Sequence, residues 1–290
     1  MISDKYLYII GGPTASGKTA KAIEMAQSLK TVILSADSRQ FYKEMTIGTA
    51  KPSISELDLV KHYFIDNLSI NEDYDAGTYE NEAINLLDEL FKIHDIVIMA
   101  GGSGLFIKAV TDGLDFFPTI YPEIREQTRK LMEEHGIEKL QEFVSERDPQ
   151  YFKSVDIQNP RRLLRAAEVI MQTGSTFSSF RKSEPKKRNF SIIKNFIEIE
   201  RETLYERINI RVDEMVKRGL KDEAMELYPY KDKNPLQTVG YKEWFDYFEG
   251  KITHEQAVEL IKQNSRRYAK RQVTWFKNDG GWLSNPPSFI

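Results

Sequence analysis

The sequence predicts an α/β fold, in which helices pack against a parallel sheet. Short apolar runs at 6–10, 32–36 and 95–100 each end in glycine or a polar residue, which is typical of buried parallel strands. Apolar residues recur with helical spacing between these runs, at 18–29 and 76–92. Strand, helix and strand in this order form a right-handed crossover. The first part of the chain therefore builds a layered α/β core.

The chain changes character after Pro118. From 122 to about 174 the apolar residues keep helical spacing, and the next strand-like run lies at 190–199. A helical insertion between two strands of one sheet explains this order. We therefore expect a core formed by 1–118 and 190–290 and a helical insertion domain at 119–189. Helices are also predicted at 202–218, 220–228 and 254–276.

The composition excludes several classes of protein. The 290 residues carry 41 Lys and Arg against 44 Asp and Glu, a net charge of −3, and 40% are hydrophobic, as in folded globular proteins. The absence of cysteine excludes disulfides, thiol nucleophiles, zinc fingers and iron–sulfur clusters. No apolar run approaches the roughly 20 residues that span a bilayer, and the N-terminus lacks a signal-peptide pattern. We expect a cytoplasmic monomer without a membrane partner.

A phosphate-binding motif follows the first strand. The stretch GPTASGKT fits G-x-x-x-x-G-K-[ST] and consists of Gly12, Pro13, Thr14, Ala15, Ser16, Gly17, Lys18 and Thr19. In such a loop, backbone N–H groups and the helix N-terminus bind phosphates. Lys18 neutralises the outer oxygens, and the Thr19 hydroxyl is a ligand for Mg²⁺. The sequence thus predicts a core like that of P-loop NTPases, with a phosphate-bearing ligand.

Asp37 is the acidic residue at the end of a predicted strand. P-loop proteins that act on a nucleotide γ-phosphate usually hold Mg²⁺ with an Asp after a later strand, but 95–100 is followed by two glycines. Asp37 could be a Mg²⁺ ligand, a general base or a helix N-cap. Ligands of open α/β sheets lie beyond the carboxyl ends of the strands. We therefore expect Lys18, Asp37 and Ser103 around one crevice. The glycines beside Ser103 either allow a substrate close to the backbone or form a plain turn, and the turn is the alternative that such glycines alone favour.

Two helical segments are basic. Arg161, Arg162 and Arg165 share one side of a predicted helix, and residues 260–278 contain six basic side chains, no acid, and interleaved aromatics. Such segments bind RNA, through arginines on phosphates and rings on unstacked bases. A solvated helix face with its aromatics in the core is the alternative.

Several stretches resemble the tRNA dimethylallyltransferase (tRNA isopentenyltransferase) family over nearly the whole chain. They are GGPTASGKTA (11–20), SADSRQFYKEMTIGTAKPS (35–53), GGSGLFIKA (101–109), NPRRLLRAAEV (159–169), VGYKEW (239–244) and YAKRQVTWFK (268–277). The chain departs from the family's usual GGTGLY at Ser103 and Phe106. Ser103 keeps the hydroxyl, whereas Phe106 lacks one. The family's cysteine-based zinc finger, found in eukaryotic members, is absent, which implies a bacterial-type chain.

The resemblance implies a reaction. A dimethylallyl group passes from dimethylallyl diphosphate to N6 of the adenosine 3′-adjacent to the tRNA anticodon, giving N6-isopentenyladenosine. The P-loop holds the diphosphate, which leaves as pyrophosphate, while Lys18, Thr19 and Mg²⁺ stabilise the developing charge. Asp37 acts as general base on the amine. Ser103 and Arg125 are further expected catalytic residues, and Arg211 is expected to reach the diphosphate.

The resemblance also implies contacts with the tRNA anticodon stem-loop. The expected residues are Asp37, Ser38, Arg39, Gln40, Ser103, Arg125, Arg161, Arg162, Arg165, Lys270, Arg271, Gln272 and Trp275. The insertion domain is expected to grip the anticodon stem, and the target base must leave its stack to react. Three alternatives remain: prenylation of free AMP, ADP or ATP, a small-molecule kinase, and a nucleotide-gated RNA-binding module without enzyme activity.

Overall fold

A computed structural model describes residues 4–181 and 184–284. The chain divides into two compact units, one formed by residues up to Asp112 and from Lys187 onward, the other by Gly113–Lys186. The insertion expected at 119–189 falls largely inside the second unit. Within the two described ranges, no helix combines the length and apolarity that a membrane span requires.

The first unit contains a five-stranded parallel sheet. Its strands are β1 (Tyr6–Gly11), β2 (Ile33–Ser35), β3 (His62–Tyr63), β4 (Ile96–Gly101) and β5 (Ser191–Phe196), in the order β3-β2-β4-β1-β5. The prediction of a parallel α/β core is confirmed. The chain leaves β1 toward one edge and leaves β4 toward the other, so the order reverses between these two strands, where open α/β sheets bind ligands.

Helices cover both faces of this sheet. The first four are α1 (Lys18–Ser28), α2 (Ile54–Leu59), α3 (Ala76–Leu90) and α4 (Gly104–Thr111). Alternate residues of β1 belong to different cores: Tyr8 and Ile10 lie in the cluster that includes α1, whereas Leu7 and Ile9 lie in the cluster that includes α3 and α4. Burial on both faces is why the strands are continuous apolar runs.

The second unit is helical. It contains α5 (Pro122–Arg147), α6 (Pro149–Phe152), α7 (Pro160–Thr173) and α8 (Phe177–Phe180). Gly136 interrupts α5 with a φ of 74° and divides it into two helical segments. Leu140 and Val144 of α5 pack in one core with Leu163 and Ala167 of α7. The side chain of Asn159 caps α7 by accepting a hydrogen bond from the Arg162 N–H. The predicted helical character of this segment is confirmed.

The chain then returns to the sheet through β5 and continues as helices of the first unit. These are α9 (Arg201–Lys217), α10 (Leu220–Leu227), α11 (Lys242–Phe248) and α12 (His254–Asp279). A capping box formed by Thr253 and Gln256 begins α12. Beyond α12, Leu283 forms a bridge with Asn195, so the chain runs along the outer edge of β5.

Candidate active site

The P-loop connects the end of β1 to the start of α1. Gly17 has a φ of 92° and adopts the left-handed conformation that turns the chain into α1. Ala15, with a φ of 62°, has the same handedness, which is strained for a residue with a Cβ. The first N–H groups of α1 have no intrahelical acceptor and therefore face an incoming anion. The Ser16 hydroxyl is buried without a hydrogen-bond partner in the described parts of the chain.

Two cations flank this loop. The Lys18 ammonium donates a 2.6 Å hydrogen bond to the Pro13 carbonyl. Arg211 reaches the loop from α9, where its Nη1 donates to the Thr14 hydroxyl at 3.4 Å. Burial, followed by the nearby Arg211 charge, lowers the pKa of Lys18 to about 7, although the Asp37 carboxylate acts in the opposite direction. Two neighbouring cations beside the N–H groups at the start of α1 favour an anionic ligand at this loop.

Asp37 begins a tight turn after β2. Its Oδ1 accepts a hydrogen bond from the Arg39 N–H at 2.9 Å, which closes an Asx turn. Residues 38–41 form a turn, so the alternative in which Asp37 caps a helix is wrong. The Ser38 N–H donates to Ser103 Oγ at 3.0 Å. This bond brings the segment after β2 to the segment after β4.

Tyr268 of α12 lies beside Asp37 and Ser103. Burial, followed by the negative charge of Asp37, raises the pKa of Tyr268 to about 12, while a hydrogen bond with Ser103 acts against this rise. Asp37 and Arg211 both act on the pKa of Lys18, and Asp37 also acts on the pKa of Arg211, which places the three side chains in one electrostatic group. The structure thus brings Lys18, Asp37, Ser103 and Arg211 together at the carboxyl ends of the strands.

The two glutamines among the expected tRNA contacts are bonded inside the chain. Gln40 Oε1 accepts from the Ser35 hydroxyl at 3.1 Å, and its Nε2 donates to the carbonyls of Thr49 and Ala50 at 3.3 Å. Gln272 is 6% exposed and bonds the P-loop and the end of β4. The roles of Gln40 and Gln272 in tRNA binding stay predictions. Within the fold, both side chains hold neighbouring backbone segments together by hydrogen bonds.

The glycines at the end of β4 and immediately after it lie against protein. A Cβ at Gly101 would lie 2.2 Å from the Ala36 carbonyl oxygen, and a Cβ at Gly104 would lie 2.2 Å from the Trp275 ring. The sequence alone allows these glycines to bring a substrate close to the backbone. In the structure, the space that a Cβ would need is taken by Ala36 after β2 and by the side chains of Gln272 and Trp275 of α12.

The helix α12 has a buried and an exposed side. Phe276 is 2% exposed and Trp275 is partly buried, whereas Lys270 and Arg271 are exposed. The Arg271 guanidinium lies over the Tyr268 ring, 5.7 Å from its centre. The basic side chains are therefore available to a polyanion, and the aromatic Phe276 belongs to the core.

The segment at 46–48 is anchored by a residue that sequence reasoning missed. Glu223 of α10 accepts hydrogen bonds at 2.7–3.0 Å from the N–H groups of Thr46, Ile47 and Gly48 and from the Tyr241 hydroxyl. The partners lie up to 177 positions away in sequence, so no local pattern in the sequence indicates this contact.

The remaining expected residues lie in the second unit. Arg125 is exposed near the start of α5, and Arg161 and Arg162 are exposed in the first turn of α7. Arg165 lies over the Phe117 ring at 5.6 Å and 3.5 Å from a Glu168 carboxylate oxygen. Arg161 and Arg162 therefore present their charges to solvent, whereas Arg165 is partly engaged within its unit.

Comparison with known proteins identifies the family. The family described as "IPP transferase" matches residues 40–279. A protein named tRNA dimethylallyltransferase from Christiangramia forsetii is 51% identical over 274 residues, which are 94% of this chain and 91% of that protein. One named tRNA dimethylallyltransferase 1 from Bacteroides fragilis is 42% identical, with 95% and 91% covered.

Solved structures of similar fold are also known. The tRNA isopentenylpyrophosphate transferase from Bacillus halodurans has a TM-score of 0.70 and 35% identity, and the match covers 97% of this chain and 89% of that one. A eukaryotic dimethylallyltransferase acting on tRNA, 24% identical, has the same fold with a TM-score of 0.79 over 94% of this chain and 70% of that one. The fold and site define a P-loop α/β protein. The chain belongs to the IPP transferase family, as the resemblance in its motifs implied.

Proposed function

We propose that this chain transfers a dimethylallyl group from dimethylallyl diphosphate to N6 of the adenosine 3′-adjacent to the anticodon of tRNA. The observation that carries the proposal is the position of Asp37 and Ser103 at the crevice that also holds Lys18 and Arg211. The cations suit a diphosphate, and the carboxylate suits a nucleophile that must lose a proton. The names of the relatives support the same reaction.

On the diphosphate side, the P-loop stabilises a leaving group. As the bond between C1 of the dimethylallyl group and the diphosphate oxygen breaks, negative charge grows on that oxygen. Lys18, Arg211 and the N–H groups at the start of α1 adjoin the P-loop and would stabilise this charge, because preorganised donors of this kind lower the barrier. The buried Ser16 hydroxyl supplies a further donor.

On the acceptor side, Asp37 takes a proton. The N6 amine is a weak nucleophile because its lone pair is delocalised into the adenine ring. N6 forms the new bond to C1, pyrophosphate leaves, and the N6 proton passes to the Asp37 carboxylate. The Asx turn and the bond from Ser38 to Ser103 fix that carboxylate, and general-base help is worth about 10²–10⁴-fold.

The residues present also fit Mg²⁺. Mg²⁺ prefers oxygen ligands and usually keeps several waters, and the Thr19 hydroxyl lies in the first turn of α1. Over 4–181 and 184–284, no group of three His, Asp or Glu side chains could hold a metal. Thr19 and the diphosphate oxygens would therefore hold the ion, which would neutralise charge on the leaving group.

We propose tRNA contacts in each of the two units. In the first unit, Ser38 and Arg39 adjoin Asp37, and Lys270 and Arg271 form an exposed basic strip on α12. In the second, Arg125, Arg161 and Arg162 are exposed for contact with the anticodon stem. We also propose that the chain acts as a monomer, because one chain supplies every group of the crevice.

One assay tests the proposal. The protein is incubated with dimethylallyl diphosphate, Mg²⁺ and an anticodon stem-loop RNA, and the digested nucleosides are identified by mass spectrometry. N6-isopentenyladenosine is expected, and an RNA with guanosine at the target position is the matched control. No product with any such RNA would refute the proposal. Product with AMP alone would favour the mononucleotide alternative, and transfer of the ATP γ-phosphate would favour a kinase.

A further inference from the structure

The side chain of Gln272 joins two segments of the crevice. Its Oε1 accepts a hydrogen bond from the Thr14 N–H of the P-loop at 2.8 Å, and its Nε2 donates to the Gly102 carbonyl at 2.9 Å. One partner only donates and the other only accepts, so an amide is the side chain that satisfies both. This orientation of the amide is therefore fixed by its partners.

The fit around Gln272 is close. A Cβ at Gly102 would lie 2.2 Å from Gln272 Nε2, so glycine at 102 allows the amide to enter. Gln272 is 6% exposed, and a buried hydrogen bond of this kind is costly to lose because its partners are left unsatisfied. The next residue after Gly102 is Ser103, which accepts the hydrogen bond from Ser38.

We infer that Gln272 is a positioning residue that holds the P-loop and the segment after β4 at the correct separation, and that the segment after β4 in turn places Asp37 through the bond between Ser38 and Ser103. This inference rests on the proposed function. Thr14 is bonded by Gln272 and by Arg211, so the amide holds the part of the loop that precedes the anion-binding N–H groups. Through Gly102 it holds the segment that positions Asp37. Gln272 itself touches neither the diphosphate nor the adenine in this assignment.

The test compares three variants. Gln272→Met keeps the length of the side chain but removes both hydrogen bonds. Gln272→Glu keeps the acceptor for Thr14 and places a carboxylate against the Gly102 carbonyl. Thr253→Ala removes the cap at the far end of the same helix, 19 residues away or roughly 28 Å, and serves as the control for a general loss of helix stability.

Dimethylallyl diphosphate binding is measured by titration calorimetry without RNA. We expect Gln272→Met to weaken binding about tenfold, because the P-loop is no longer held in place by the two hydrogen bonds. Gln272→Glu should weaken binding about a hundredfold, because its carboxylate also repels the Gly102 carbonyl. Thr253→Ala should bind within about twofold of the unaltered chain, even where its melting temperature falls by a few degrees. In steady-state assays, Gln272→Met should raise KM for the diphosphate and lower kcat, with KM for RNA within about threefold.

The outcomes separate the two proposals. Equal diphosphate affinity in Gln272→Met and the unaltered chain would overturn the positioning role, as would an equal loss in Thr253→Ala. Failure of the unaltered chain to bind the diphosphate would also overturn it. An unaltered chain that binds the diphosphate but prenylates no RNA would refute the proposed transfer, while the calorimetric comparison would still decide the role of Gln272.

Discussion

Lys18 should take up a proton when the diphosphate binds. In the free protein, burial and the Arg211 charge lower the pKa of its ammonium to about 7, so about half of the Lys18 side chains are neutral at pH 7. A diphosphate beside the ammonium favours the charged form and returns its pKa toward the ordinary value of 10.5. Binding therefore takes up protons, and affinity should fall as the pH rises above 7.

The magnitude follows from these two pKa values. Uptake should be about 0.1 proton at pH 6, about 0.5 at pH 7 and about 0.9 at pH 8. At pH 8 the affinity should be about tenfold below its low-pH limit. The terminal phosphate of the ligand titrates near pH 6, so the ligand exchanges few protons at pH 8. At pH 8 the measured proton uptake therefore comes from the protein and not from the ligand.

Calorimetry in two buffers of different ionisation enthalpy measures the uptake directly. The titration uses dimethylallyl diphosphate at pH 8 in metal-free Tris and HEPES. Lys18→Arg is the matched control, because arginine stays charged at this pH. Binding of the diphosphate to this variant should therefore take up no proton at position 18. An uptake below about 0.2 proton in the unaltered chain, or the same uptake in Lys18→Arg, would refute the reasoning.

Three further predictions concern the acceptor, the RNA and the fold. Asp37→Asn should lower the single-turnover rate about 10²–10⁴-fold, because no carboxylate takes the proton, and should leave RNA affinity within about threefold; a large loss of RNA binding would instead make Asp37 a binding residue. Arg271→Ala should reduce the slope of log Kd against log salt by about one, whereas Lys92→Ala, at the opposite end of the sheet, should not change it. Glu223→Gln should lower the free energy of unfolding by about 2–3 kcal/mol, because the amide accepts fewer of the four hydrogen bonds. In chemical denaturation the exposed Glu24→Gln should cost under about 1 kcal/mol, and equal effects would contradict the anchoring role of Glu223.

The sequence was sufficient for the sheet and most of the helices. Both faces of the strands are covered, so the four longer strands appear as apolar runs, and the P-loop motif marks the turn between β1 and α1. The two-residue strand β3 and the short helices α2, α4, α8 and α11 lie outside the predicted elements, because so few residues carry no clear period.

The site was only partly visible in the sequence. The spacing of 12–19 and the end of β2 indicate the positions of Lys18 and Asp37. The contact between Thr14 and Gln272 spans 258 positions, and no local spacing encodes it. Glycines at 101, 102 and 104 indicate that something approaches the backbone closely. They do not reveal whether this neighbour is a substrate or a helix of the same chain.

The helix α12 explains why the net charge of −3 is uninformative about the partner. Consecutive helical residues point about 100° apart, so Arg271 reaches solvent while Gln272 is buried against the P-loop. Within the single helical turn from Tyr268 to Arg271, the Tyr268 side chain lies near Asp37, whereas the charges of Lys270 and Arg271 are exposed to solvent. A polyanion bound to Lys270 and Arg271 would therefore contact α12, the helix whose Gln272 is bonded to the P-loop. The location of the charges on α12, rather than the net charge of the chain, therefore determines where a polyanion would bind.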